Sequence, residues 1–321
     1  MDFGTLVSGS QLVKRKNFYR LISIFIIIIV SAYIFLSIFT SIQAFKINDP
    51  ESELNPNFFN IYFEEIEFKN ENSTTLRGWW IDGETERTII LLHGLRSNMG
   101  NKFYVDLIKE FHNLGFSILT FDFRNHGKSD NGKFTFGVDE INDIKAAMKY
   151  ANENKNINNF GIWGFSYGAT TSLIFNLSNE EINEKFNVVG IVADTPYFDP
   201  LEVLVDEVTK RTPLNSFLSK LLEPGIIFST KVFYDLDLGE IKYIFESKQT
   251  SKFPSLIIGC DNDKTVPVSH PKRVNEALGR YSKYLEFKNC SNHGDAFIYN
   301  KNKYVEEIYN FFKIKFENES K

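Results

Sequence analysis

Residues 159–172 read NFGIWGFSYGATTS, with Ser166 set between Gly164 and Gly168. The pattern G-x-S-x-G fixes only three residues and recurs by chance, so its meaning rests on the elements around it. Before the serine, 160–163 is a short apolar run of strand type. After it, 168–177 reads as a helix. A strand that turns sharply into a helix at a glycine-flanked serine pushes the hydroxyl out at the end of the sheet and points the helix N-terminus at it. The plainer reading is a structural turn that happens to carry a serine.

The surrounding sequence repeats this rhythm. Continuous apolar runs at 89–92, 116–123, 188–192 and 255–259 are those of strands buried on both faces. Helical spacing over 103–114, 138–152 and 272–278 alternates with them, and 138–152 sets Ile141, Ile144, Met148 and Ala151 on one stripe. The alternation predicts a mostly parallel sheet with helices on both faces. Residues 58–68 and 75–81 (TLRGWWI) read as two strands that start the sheet in antiparallel fashion. Residues 284–287 form a last strand and 304–316 a final amphipathic helix. The stretch 199–251 breaks the rhythm, with helical patches and three prolines but no clear strand; it reads as a helical cap inserted over one end of the sheet.

The N-terminus differs in kind. Residues 21–39 (LISIFIIIIVSAYIFLSIF) run for nineteen residues without a charge, about the length that crosses a hydrocarbon core. Lys14, Arg15, Lys16 and Arg20 precede them, so the positive-inside rule keeps the N-terminus cytoplasmic and places the remainder outside. The expected organisation is a basic N-terminus over 1–20, a single-pass membrane anchor over 21–42, a linker over 43–57 and one domain over 58–321. A cleaved signal peptide ending near Ala44 is the alternative; Ile42 is not small, and both the basic leader and the apolar run are long for a signal.

Of the 321 residues, 43% are hydrophobic, enough for a full core, and the net charge of −5 argues against a nucleic-acid partner. Without residues 1–45, which hold four basic side chains and one acid, the net charge is −8. The two cysteines, Cys260 and Cys290, form no C-x-x-C pair, so neither a zinc site nor a disulfide-dense scaffold is expected, and no metal or cofactor is called for. Each follows one of the last two strands. Neighbouring strand ends and an exported domain would permit a bond between them, although free buried cysteines are the commoner case. Trp79 and Trp80 read as core residues rather than a lipid-binding face.

A serine hydroxyl needs a base, and the base an orienting acid. Of the five histidines, His112 lies in a helix, His93 and His126 precede glycines in early loops, and His270 adjoins Pro271. His293, in NCSNHGDAF, follows the last strand and can reach the rim that carries Ser166. The acid should follow the preceding strand, where SLIIGCDNDKTVP offers both Asp261 and Asp263. The order Ser…Asp…His is one of those known for this chemistry.

On these motifs the sequence resembles the α/β-hydrolase superfamily, over nearly all of residues 58–316. His93-Gly94 is similar to the family's oxyanion-loop signature. Asp122 to Ser129 (DFRNHGKS) is similar to its D-x-R-G-H-G-x-S loop, with Asn125 in place of a glycine. Val266-Pro267 marks Asp263 as the acid, and Gly259-Cys260 stands where His-Gly is usual. TLRGWWI and GFSYGA are most similar to membrane-associated bacterial hydrolases related to acyl-protein thioesterase-like enzymes. The resemblance implies Ser166 as nucleophile, His293 as base, Asp263 as its orienting acid, and the backbone N–H groups of Leu95 and Tyr167 as the oxyanion hole. His93 and His126 are then loop-bracing residues. The expected function is cleavage of small or lipid-like acyl esters or thioesters by a membrane-anchored serine hydrolase facing outward. A serine peptidase of the same fold and a non-catalytic hydrolase-like binding protein are the competing readings.

Overall fold

The computed structural model describes residues 3–47, 54–85, 87–178, 186–211, 215–247 and 250–319. Of the expected linker over 43–57, residues 48–53 lie outside the described residues. The chain divides into two packed units, Met1–Lys46 with Val205–Asp237, and Ile47–Leu204 with Leu238–Lys321.

The larger unit is built on an eight-stranded sheet. In chain order the strands are β1 (Glu64–Lys69), β2 (Thr75–Ile81), β3 (Thr88–Leu92), β4 (Ser117–Phe121), β5 (Asn159–Phe165), β6 (Asn187–Asp194), β7 (Ser255–Cys260) and β8 (Ser282–Phe287). Their spatial order is β1-β2-β4-β3-β5-β6-β7-β8. The β1–β2 and β2–β4 pairings are antiparallel and all others parallel, so the C-terminal ends of β3 to β8 share one edge. The apolar runs read as doubly buried are so: every residue of β3, β4 and β7 is buried. Trp79 and Trp80 are core residues.

Numbering the helices in chain order, with α1 (Phe3–Phe45) in the smaller unit, the larger unit holds α2 (Lys102–Asn113), α3 (Ile141–Lys155), α4 (Tyr167–Leu177), α9 (Ser269–Leu278) and α10 (Asp295–Glu319). Asn101 caps α2 by accepting from Phe103 N–H at 3.0 Å. The stripe Ile141, Ile144, Met148 and Ala151 of α3 is buried. Two expectations need correction. Residues 58–63 are not strand: Pro56–Phe59 is a 3-10 turn. Asn55 caps it, Pro56 opens it, and Asn60 closes it in the left-handed region (φ 58°). The final helix starts at Asp295 rather than 304, and a non-helical Asn300 (φ −121°, ψ 30°) hides its first turn from a periodicity reading.

Between β6 and β7 the elements among the described residues are helices: α5 (Pro200–Arg211), α6 (Ser216–Leu221), α7 (Glu223–Tyr234) and α8 (Gly239–Glu246). Of these, α6 and α7 belong to the smaller unit together with α1 (Phe3–Phe45). Helix α1 is long and apolar enough over Lys14–Gln43 to cross a membrane.

Candidate active site

Strand β5 ends at Phe165 and α4 begins at Tyr167, so Ser166 is the whole of the turn between them. Its backbone is held at φ 53°, ψ −109°, a region non-glycine residues avoid at a cost of roughly 1–3 kcal/mol. Two backbone hydrogen bonds hold it there: Ser166 N–H donates to Asp194 O (2.7 Å), and Ser166 O accepts from Thr170 N–H (2.9 Å). The flanking glycines are required by space. A Cβ at Gly164 would stand 2.5 Å from Gly168 O, and one at Gly168 would stand 2.6 Å from Leu92 O. The second approach seats the end of β3 directly against the turn.

Parallel strands carry the next groups to the same edge. Asp263 follows β7, and its carboxylate is buried. Oδ1 accepts from the N–H groups of Thr265 (2.8 Å) and Val266 (2.9 Å), and Oδ2 lies 2.6 Å from His293 Nδ1. A carboxylate only accepts, so Nδ1 carries the proton and Nε2 presents its lone pair. Nε2 is buried with no hydrogen-bond partner. The imidazole packs on Phe165, the residue before the serine, with ring centroids 4.5 Å apart. Among the described residues no hydrogen bond joins Ser166 Oγ to Nε2. An imidazole committed at Nδ1 and open at Nε2 can take and return a proton at that atom.

Asp261, the other acid considered, turns elsewhere: its carboxylate accepts from Cys290 N–H (3.1 Å) and Asn289 N–H (3.3 Å) and braces the loop that leads to His293. Next to it Cys260 and Cys290 form a disulfide, with Cα atoms 5.8 Å apart, where free thiols were the commoner expectation. The register explains it: Cys260 pairs with Phe287 across β7 and β8, which leaves Cys290 only three residues beyond. The same bond engages the cysteine of Gly259-Cys260. Gly259 in turn lies under the Tyr284 ring, where a Cβ would overlap the hydroxyl.

The expected oxyanion donors, the backbone N–H groups of Leu95 and Tyr167, lie just after β3 and at the start of α4. Tyr167 opens α4, where helical N–H groups are unpaired. Leu95 lies in a loop fixed from both sides. Gly94 N–H donates to Tyr104 Oη (2.7 Å), and Arg96 N–H, at φ 57°, donates to His126 Nε2 (3.2 Å). His93 closes the loop from below, with Nδ1 2.8 Å from Gly94 O and Nε2 accepting from Phe123 N–H (3.0 Å). Burial and the neighbouring His126 hold His93 far below its ordinary pKa, hence neutral. Asp122 ties the same region together by accepting from Met99 N–H (2.8 Å) and Lys128 N–H (2.9 Å). Asn125 sits at φ 67°, a conformation that glycine tolerates best and asparagine next, which is why it can replace glycine here.

Sequence reading missed two groups. Arg124 and Asp143 form a fully buried ion pair, to which Asn70 adds a 2.7 Å hydrogen bond. Asp194, at the end of β6, accepts from Tyr304 Oη–H (2.6 Å), and Tyr304 Oη accepts from Trp163 Nε1–H (3.1 Å). Burial pushes the Asp194 carboxyl up to about 7, against the Tyr304 hydrogen bond and the nearby His293, which pull it down. The available signal was an aspartate closing a buried strand, VVGIVAD, at the edge that carries Ser166.

The profile of the alpha/beta hydrolase fold family matches residues 87–208, the segment from β3 through the serine turn into α5. The chain has the α/β-hydrolase fold. Among solved structures, this chain is similar to the esterase Pf2001 of Pyrococcus furiosus, with 24% identity and a TM-score of 0.65 over 83% of this chain and 98% of that one. It is also similar to an esterase of Exiguobacterium antarcticum, at 17% identity and a TM-score of 0.55 over 78% and 100% of the two chains. The uncharacterized protein YqkD of Bacillus subtilis is 26% identical over 232 residues, 71% of this chain and 72% of its own length.

Proposed function

We propose that this α/β hydrolase is a membrane-anchored serine hydrolase that cleaves carboxylic esters or thioesters through an acyl-enzyme. The observation that carries the reading is the Asp263–His293 hydrogen bond of 2.6 Å, with an unpartnered Nε2 beside a serine in a strained turn. In this reading His293 Nε2 accepts the proton of Ser166 Oγ as the oxygen attacks the acyl carbonyl. The oxyanion that forms is received by the Leu95 and Tyr167 N–H groups, whose orientation is already paid for by the fold. Collapse expels the alcohol or thiol, which takes the proton from His293. Water then repeats the sequence on the acyl-enzyme: it gives its proton to His293, adds to the carbonyl, and releases the acid and Ser166.

Anchoring is supported by α1, whose apolar side chains are almost all exposed over Lys14–Gln43. The basic residues before it favour an outward-facing catalytic domain, and the Cys260–Cys290 bond suits an oxidising compartment. Two structural relatives are esterases, which makes esters the first substrates to test. The experiment is a matched panel of p-nitrophenyl esters, acyl thioesters and aminoacyl amides against the full-length protein in detergent. Turnover of esters or thioesters with inert amides is expected. Preferential amide cleavage would make it a peptidase, and binding without turnover across the panel would make it a non-catalytic binder.

A further inference from the structure

The smaller unit contains a helix pair whose composition is unusual for a water-soluble surface. Helix α7 packs along α1 through small residues on both sides: Gly225 and Ser229 of α7 against Ser37 and Ser41 of α1. A Cβ at Gly225 would overlap Ser37 Oγ and stand 3.0 Å from Tyr33 Oη, so the two backbones approach as closely as glycine allows. The serine hydroxyls in the seam are all satisfied within it. Ser37 Oγ donates to Tyr33 O (2.9 Å), Ser41 Oγ lies 3.0 Å from Ser37 O and pairs with Ser229 Oγ, and Ser229 Oγ is also 3.0 Å from Ile226 O. Small residues spaced four apart, with hydroxyls that need no water, are the means by which helices associate inside lipid.

Away from the seam, α7 is apolar and uncovered. Phe228 is 69% exposed and Phe233 59%, with Ile227 and Val232 beside them, and α6 adds Phe217 at 70% and Leu221. The seam fixes what covers this face. Tyr33 to Ser41 lie within the apolar span Lys14–Gln43, so any bilayer that holds α1 also surrounds α7 at that level. At twelve residues, α7 is about 18 Å long, too short to cross and suited to lying within one leaflet. Lys220 and Lys231 are exposed and can reach lipid phosphates, and Asp235 and Asp237 follow the helix end, where the chain returns to water.

We propose that α6 and α7 are a second, non-spanning membrane element, seated in the outer leaflet against the anchor with Phe217, Phe228 and Phe233 in the acyl chains. The proposal rests on the anchor reading above. On this account α1 is more than a tether, because its outer end completes a packed unit with the insertion.

The test places single cysteines carrying an environment-sensitive fluorophore in the full-length chain. Native Cys260 and Cys290 stay paired under non-reducing conditions. The probe sites are Ile28→Cys in the anchor, Phe228→Cys in α7 and Tyr62→Cys on the larger unit, in vesicles of phosphatidylcholine and phosphatidylglycerol with nitroxide-labelled acyl chains. Loss of emission at positions 28 and 228 but not at 62 is expected. Quenching at 28 alone overturns the proposal and leaves the anchor standing. No quenching at 28 removes the anchor reading and the proposal with it, and equal quenching at 62 and 228 overturns the proposal by removing its specificity. The seam is tested separately: Ser41→Cys combined with Ser229→Cys should cross-link in the same vesicles, and failure to do so contradicts the packing.

Discussion

His93 and His126 follow β3 and β4, His293 follows β8, and the parallel strands bring all three to one edge of the sheet. They are employed in opposite ways. Both nitrogens of His93 and of His126 are taken by backbone groups, Gly94 O and Phe123 N–H for one, Arg124 O and Arg96 N–H for the other. His293 has one nitrogen on Asp263 and the other unpartnered. A histidine whose hydrogen-bonding capacity is exhausted by the fold can only hold it in place. One left with a single unmet acceptor beside a serine turn has capacity for chemistry.

The largest effect that sharpens this contrast is expected at His293. His293→Ala should lower kcat for a reactive ester by roughly 10⁶-fold, because a base and its nucleophile act as a unit. Asp263→Asn should cost about 10⁴-fold by stabilising the wrong imidazole tautomer. Asp261→Asn, which touches only the Cys290 loop, should stay within about tenfold, the span of roughly 1.4 kcal/mol. Steady-state kinetics on one ester rank the three, and an Asp261 variant worse than the Asp263 variant would reverse the assignment of the acid.

The bracing histidines should give smaller losses of a different kind. His126→Ala removes the acceptor of Arg96 N–H, so the loop bearing Leu95 loosens. With the Leu95 N–H as an oxyanion donor, kcat should fall on the order of 10²-fold with KM little changed. A loss as large as that of His293→Ala would break the contrast between the two kinds of histidine.

Asp194 gives a stability effect with a sign opposite to the common one. Its folded value of about 7 lies above the ordinary carboxylate range because the buried site disfavours the charge. The protonated form therefore favours the folded state. That contribution is full below about pH 4 and is lost as pH rises through about 7. Denaturant midpoints of wild type and Asp194→Asn, compared at pH 5 and pH 8, should show the wild type losing roughly 2 to 3 kcal/mol relative to the variant. Parallel behaviour of the two proteins would mean that Asp194 is ionised throughout.

Much of this is legible in the sequence where one element decides its own fate. TLRGWWI and the apolar cores of β3, β4, β6 and β7 could only be strands of a covered sheet, and Gly164 and Gly168 mark the tight turn by themselves. What the sequence concealed depends on neighbours. The Phe58 to Phe63 stretch looks apolar enough for a strand, but Pro56 and the left-handed Asn60 commit its start to a turn. The Cys260–Cys290 bond follows from β7 lying beside β8, and the Asp194–Tyr304–Trp163 chain joins three elements far apart in sequence. Choosing Asp263 over Asp261 rested on Val266-Pro267. In the folded chain Val266 N–H donates to the Asp263 carboxylate (2.9 Å), so the motif marks a hydrogen bond that holds that side chain toward His293.

The central claim is that Ser166 is the nucleophile, and the most direct measurement is covalent. Full-length protein treated with a fluorophosphonate and digested should carry the added mass on the peptide containing Ser166, with Ser166→Ala folded but unlabelled and inactive. Labelling at another serine, or a Ser166→Ala protein that keeps its ester turnover, would contradict the account and leave Ser166 as the structural turn that its glycines alone would allow.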